Sequence, residues 1–455
     1  MSMNKRTDDI YEILRQKDLF LLSVDSSKYR VLYAPLADSC ILVDDNDINQ
    51  LAAAVACPDQ ADEETLEILD ALTDVVPISH REGIMKTEKD FINLSILPNN
   101  TCNFACSYCY SAKGRSGQQL KYEQAKDVIE FFLSPERNKS EKLTITFFGG
   151  GEPLISWDNV VMPSIDLINK IAQVQHRRVV ITVITNGSVI PSGFLERCRD
   201  YAIDLVCSYE ILEEIQNVQR KHYHLVTENI GKMIAQGVVP AINSVITELN
   251  VERQSEMIDV LHQRFPQIRY VAFEPVLGPN VENRRQFYTR YTEQFIKAKS
   301  LADQLGIRLT CSALRNVDVT VNRYCPGEFA LVANGSLTIC PCISSPQEDN
   351  FDKYVYGKVS AGQGVCIDNE KLSKLLAVDV DAYHWCDKCF ARYNCGGGCM
   401  NTTISNNNQQ DVDYCHFVRN FLKYMLLKRL DENYMEDSEG SIKDLIGNYE
   451  EFIKE

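Results

Sequence analysis

"FINLSILPNNTCNFACSYCY", residues 91–110, joins an apolar, β-branched run to a loop with three cysteines in eight positions, Cys102, Cys106 and Cys109. The run FINLSIL (91–97) reads as a strand, and five others share its character: KLTITFFG (142–149), VVITVIT (179–185), AIDLVCSY (202–209), VVPAINSVI (238–246) and IRYVAFEPV (268–276). Segments of helical spacing, such as YEQAKDVIEFFL and VERQSEMIDVLHQRF, lie between them. Strand and helix in alternation predict an α/β fold, a parallel sheet with right-handed crossovers curled into a partial (β/α)6, TIM-like barrel. Chemistry in such folds sits at the carboxyl ends of the strands. The three-cysteine loop follows the first strand and so takes the active position.

A chain of 455 residues exceeds one ordinary core and predicts two or three domains. The hydrophobic share of 45% and charged share of 24% suit a soluble globular protein. No apolar run reaches the roughly 18–20 residues that span a bilayer. The start, MSMNKRTDDIYEILRQ, lacks the apolar stretch of a secretory signal. A cytoplasmic location with no membrane partner is expected. The formal charge of -16 disfavours nucleic acid as a partner, because phosphates require a basic surface.

Seventeen cysteines without an export signal point to metal ligation or catalysis rather than to disulfides. Cys40, Cys57, Cys198 and Cys207 stand alone and read as small core residues. Structural zinc requires four ligands, usually as two spaced pairs. A C-x3-C-x2-C loop instead suits a cubane cluster with three irons held by protein and one left open to a small chelating molecule.

The loop resembles that of radical S-adenosylmethionine enzymes. The resemblance implies that Cys102, Cys106 and Cys109 hold a 4Fe-4S cluster, that S-adenosylmethionine completes the fourth iron, and that Tyr108 lies near the adenine. FFGGGEP (147–153) is similar to the family's glycine-glycine-glutamate-proline motif, which assigns Gly150, Gly151, Glu152 and Pro153 to the methionine amino group. Thr185 and Asn186 of the TNG stretch are placed toward the ribose or the substrate, with an Asn-Gly turn as the plain reading. Ser208 fits the family's fourth-strand Ser-x-Asp-Gly pattern, but Glu210 replaces the aspartate and no glycine follows. Arg220 lies where relatives place an arginine near the cofactor, a surface ion pair being the alternative.

Cys325, Gly335, Cys340, CDKCFARYNCGGGC (386–399) and Cys415 resemble the SPASM extension of that family, which holds two auxiliary 4Fe-4S clusters. The resemblance gives one cluster Cys386, Cys389, Cys395 and Cys415, and the other Cys325, Cys340 and Cys399. The second set lacks one ligand. Either Cys342 or Cys311 closes it, with Cys342 favoured, or one iron stays open to a substrate thiolate.

The expected organisation is a winged-helix-like peptide-recognition domain at 1–90, the radical barrel at 91–310, the cysteine-rich SPASM domain at 311–425, and a C-terminal helix with an acidic tail at 426–455. Cofactors would be three 4Fe-4S clusters and S-adenosylmethionine. The family's chemistry breaks the cofactor's carbon–sulfur bond with one electron and uses the resulting 5'-deoxyadenosyl radical to take a hydrogen atom from the substrate. The expected activity is that of a peptide maturase, an oxidoreductase in RiPP biosynthesis. It would install a thioether, C–C or C–O crosslink in a ribosomally made precursor whose leader binds residues 1–90, with an external low-potential electron donor. Two alternatives stay open: an anaerobic sulfatase-maturase-like protein that oxidises Ser or Cys to formylglycine, and an inactive, metal-loaded peptide-binding protein. Tyr209, Glu210, Glu274 and His384 are substrate-side candidates, each with an equally good structural reading.

Overall fold

In a computed structural model, residues 2–24, 28–78, 84–276, 282–314, 317–405, 408–437 and 440–449 are described. The end of the expected acidic tail, 450–455, lies outside them.

The chain opens with helix α1 (Ser2–Arg15) and a three-stranded antiparallel meander, β1 (Phe20–Ser23), β2 (Arg30–Ala34) and β3 (Ser39–Val43). Two helices follow, α2 (Asp45–Ala56) and α3 (Glu63–Thr73). Asp44 starts α2 as one half of a capping box, its side chain accepting from the Asn46 and Asp47 backbone N–H groups, and Asp62 caps α3 through Thr65. The central strand β2 is buried on both faces, so its alternation divides two cores. Leu32 and Ala34 pack with Leu14, Leu51 and Leu69 of the helices, whereas Val31 and Tyr33 face the rest of the molecule.

The parallel region is β4 (Asn93–Ile96), α4 (Tyr122–Leu133), β5 (Lys142–Phe147), α5 (Met162–Gln175), β6 (Arg178–Thr185), α6 (Phe194–Asp200), β7 (Asp204–Ser208), α7 (Glu213–Gln219), α8 (Tyr223–Ala235), β8 (Ala241–Ile246), α9 (Gln254–Arg264), β9 (Tyr270–Pro275) and α10 (Arg284–Gln304). All six expected strands form, and neighbours pair in parallel from β4 through β9. Leu143, Ile145 and Phe147 of β5 are buried toward the helices, as are Ile181 and Val183 of β6. The alternate positions share the opposite face, where the register sets Thr146 beside Thr182 and Ser208 beside Asn243. That face is unusually polar for a parallel sheet, as a substrate-lined barrel interior would be.

The sheet runs past both expected ends. β10 (Arg308–Thr310) adds in parallel to β9, and β11 (Phe329–Leu331) adds in parallel to β4. β12 (Ser336–Thr338), β13 (Val355–Ser360) and β14 (Gly364–Ile367) continue from β11 as an antiparallel meander, giving eleven strands in one sheet. Three-residue strands are too short to show a period, so they escape a pattern search.

The C-terminal helix Val412–Asp437 lies on α10, with the Tyr288 and Phe417 rings stacked at 4.9 Å. Cys198 and Cys207 are core residues as expected, but Cys40 is only half-buried and Cys57 is exposed. Cys57 caps the exposed end of α2, where no layer covers it.

Candidate functional site

The three-cysteine loop leaves the carboxyl end of β4 and closes on itself. Leu120 N–H donates to Pro98 O at 2.9 Å and Asn100 N–H to Gln118 O at 3.0 Å, so residues 101–115 are held as a loop with a fixed base. Its tip docks on the end of α7, where Ser107 N–H donates to Gln219 O at 2.9 Å. Cys102, Cys106 and Cys109 are all half-buried and close enough to act on one another. Burial pushes the Cys106 thiol up, Arg220 opposes this, and Cys109 and Cys102 add to it.

Beside this loop runs the glycine turn after β5. A Cβ at Gly151 would stand 1.9 Å from Thr101 O, and one at Gly150 2.6 Å from Asn99 O, so only glycine lets the two loops touch. Glu152, 2% exposed, sits between three partners. Its Oε1 accepts from Thr185 Oγ1 at 2.7 Å and Leu154 N–H at 3.1 Å, and its Oε2 accepts from Asn186 N–H at 2.7 Å. Burial raises its pKa and these donors counter the rise. Pro153 opens the short helical turn that follows. Asn186 reaches back, donating to Asn103 Oδ1 at 3.0 Å and lying 3.8 Å from Cys102 Sγ. Thr185, Asn186 and Glu152 thus tie the ends of β5 and β6 to the cysteine loop. Ser208 ends β7 on the barrel's inner face.

Tyr108 points into the protein. Its hydroxyl donates to Glu210 and accepts from Arg220 Nη1 at 2.9 Å, while Arg220 and Glu210 form an ion pair at 3.8 Å. Glu210 also accepts from Ser244 Oγ at 2.7 Å and Val245 N–H at 3.0 Å. Arg220 is 8% exposed, so the surface ion-pair alternative does not hold. Of the other substrate-side candidates, Tyr209 is buried with its hydroxyl on Thr227, Glu274 accepts from Ser312 N–H at 3.0 Å, and His384 is exposed against Trp385.

The second cysteine group lines two cavities. One, of about 570 Å³ with its opening included, is bordered by Cys386, Cys389, Cys395 and Cys415. The other, of about 440 Å³ on the same measure, is bordered by Cys325, Cys340 and Cys399. Cys399 borders both. Burial pushes the Cys325 thiol up to about 11 and the Cys386 thiol up to about 12. Thiols this reluctant to ionise release protons when a metal binds. Cys342 is exposed, beside Cys340 and near Tyr110, and does not line the second cavity. Cys311 is buried beside Glu274 and Tyr291, also away from it.

The chemistry of these donor sets fits clusters. Among the described residues no three His, Cys, Asp or Glu side chains converge on a point that one ion would occupy. A cubane instead takes each thiolate on a separate iron. Near the cysteine loop Asn100, 2% exposed, keeps its amide oxygen unpartnered against Gly150, an acceptor available to a bound group. Asn100, Asn99, Asn103 and Arg115 all contribute here without having been legible in sequence, since asparagines in a loop read as turn residues.

Residues 96–263 match the model of the Radical SAM superfamily. This segment is a radical SAM domain. Over 139 residues the chain is 24% identical to the radical SAM cyclopropyl synthase TigE of Paramaledivibacter caminithermalis, covering 28% of each protein. Over 113 residues it is 32% identical to the dual-specificity RNA methyltransferase RlmN of Bdellovibrio bacteriovorus, covering 24% of this chain and 27% of that protein. The matches thus span less than a third of these relatives' lengths. Among solved structures, native anSMEcpe with bound AdoMet and Cp18Cys peptide has a TM-score of 0.58 at 17% identity, covering 76% of this chain and 99% of that one. Streptococcus suis SuiB bound to precursor peptide SuiA has a TM-score of 0.50 at 14% identity, covering 86% of this chain and 96% of that one. The radical SAM domain and its sheet share their fold with these proteins. No helix among the described residues is long and apolar enough to cross a membrane.

Proposed function

We propose that the chain is a radical S-adenosylmethionine peptide maturase that takes a hydrogen atom from a ribosomally made precursor and installs an intramolecular thioether, C–C or C–O crosslink. One observation carries this reading: three separate thiol groups in a single chain, one at the end of β4 and two lining cavities of their own. Cys102, Cys106 and Cys109 would hold the cluster that binds S-adenosylmethionine. Cys386, Cys389, Cys395 and Cys415 would hold one auxiliary 4Fe-4S cluster, and Cys325, Cys340 and Cys399 another, with Cys342 beside Cys340 but outside that cavity.

The bound clusters and cofactor supply one-electron chemistry and a carbon-centred radical. The chain's own residues do the rest. Gly150, Gly151 and Asn100 shape the bed of the cofactor, Glu152 fixes that bed through Thr185 and Asn186, and Ser208 with the threonines of β5 and β6 lines the space for substrate. The three-stranded sheet supports a peptide substrate, because β1 and β3 each lack a strand partner on one side among the described residues and an extended leader adds to such an edge. Residues 1–90 would then recognise the leader, 91–310 form the barrel and 311–425 the auxiliary domain, with a cytoplasmic low-potential donor supplying electrons.

The test is anaerobic reconstitution of the full chain, with iron and sulfide quantified, followed by S-adenosylmethionine and a strong reductant. Formation of 5'-deoxyadenosine, lost when Cys102, Cys106 and Cys109 are all replaced by Ala, supports the reading. Fully loaded protein that forms none sinks it and favours a metal-loaded peptide-binding protein. Formylglycine in a Cys- or Ser-bearing sulfatase peptide would instead select the sulfatase-maturase chemistry.

A further inference from the structure

The three-cysteine loop carries a cation that the reading above does not use. Arg115 Nη2 donates to Cys109 Sγ at 3.2 Å, and its Nη1 donates to Phe104 O at 3.1 Å. Cys102 lies within its influence as well. The planar guanidinium thereby ties both arms of the loop together, which a lysine's single ammonium does not reproduce. The groups that act on the Arg115 charge are the thiols of Cys109 and Cys102, so a sulfur takes the place of the usual ion pair.

The position of Arg115 is set from far along the chain. A Cβ on the preceding Gly114 would lie 2.6 Å from Ser345 Cβ and 2.7 Å from Glu348 Oε1, so the segment after Cys342 packs directly on this turn. Glu348 is itself fixed, accepting from Ser344 N–H at 2.7 Å and Ser344 Oγ at 2.8 Å. Lys113 pairs with Asp349 at 2.6 Å on the other side. The auxiliary-cysteine region thus holds Arg115 over the thiols of the radical SAM domain.

We propose that Arg115 sets the reduction potential of the cluster held by Cys102, Cys106 and Cys109, an inference that rests on those residues binding a 4Fe-4S cluster. Reduction adds negative charge to the cluster and its thiolates. A cation donating to a ligand sulfur stabilises that charge and raises the potential, so a weaker donor can deliver the electron.

The experiment is an EPR-monitored redox titration of the full reconstituted protein without S-adenosylmethionine, comparing wild type, Arg115→Gln and Arg115→Lys. The signal absent from the Cys102, Cys106, Cys109→Ala protein identifies the cluster concerned. Expected is a shift of that signal's midpoint to more negative potential in Arg115→Gln, a smaller shift in Arg115→Lys, and unchanged midpoints for the other clusters. If Arg115→Gln fails to retain iron, Arg115→Lys decides by the same shift. An unchanged midpoint in a variant that keeps its full iron content overturns the proposal. A triple-Ala protein that keeps all its iron and every signal overturns the underlying cluster assignment instead.

Discussion

The Tyr108 hydroxyl is clasped between Arg220, which donates to it at 2.9 Å, and the carboxylate of Glu210, to which it donates. This network joins the cysteine loop to the end of β7. Burial raises the pKa of Glu210, with Arg220 opposing it, while the charged partners hold Arg220 protonated. Tyr108→Phe removes the hydroxyl that links a buried Glu210 to a buried Arg220, for an expected loss of about 1–3 kcal/mol. Glu210→Gln leaves a buried guanidinium without its counter-charge and should lose more, about 3–5 kcal/mol. Urea unfolding of the full chain ranks the two; the reverse order would show that Glu210 is not the main support of Arg220.

Gly151→Ala should disable the cysteine loop, because its methyl group would stand 1.9 Å from Thr101 O, a rigid backbone atom. The expected outcome is loss of about four irons, one cubane's complement, with the other sites still loaded. Gly117→Ala is the control. Nothing lies within 4 Å of a Cβ there, so iron content should stay at the wild-type level.

Glu152→Gln keeps size but turns one acceptor into a donor that faces either the Leu154 N–H or the Asn186 N–H. A buried donor facing a donor costs about 1–3 kcal/mol. Thermal unfolding should show the decrease, and hydrogen exchange should place it at the ends of β5 and β6 rather than in the N-terminal sheet.

Tyr33 donates to Asn394 Oδ1 at 2.8 Å, a buried link from β2 to the residue before Cys395. Tyr393 adds a second link, to Asp18 at 3.0 Å. Tyr33→Phe should therefore speed amide exchange both in β2 and across residues 386–395. Exchange confined to β2 would show that the N-terminal sheet and the cysteine loop open independently.

The local features are legible along the chain. β-branched runs marked all six strands from β4 to β9, and the spacing of Cys102, Cys106 and Cys109 singled out the loop after the first. These signals lie within a few residues of one another, where backbone periodicity and ligand spacing operate. The remaining features depend on how distant segments pack. The sheet's continuation through β10 and β11 rests on three-residue strands that gain their hydrogen bonds only from distant partners. Arg220 meets Tyr108 across 112 positions, and Tyr33 meets Asn394 across 361. Which cysteines share a cavity, and which neighbour stands over Cys109, likewise follow from chain closure. A pattern read along the chain contains no such distances, because long-range contacts are fixed by how whole layers pack rather than by the residues on either side of each position.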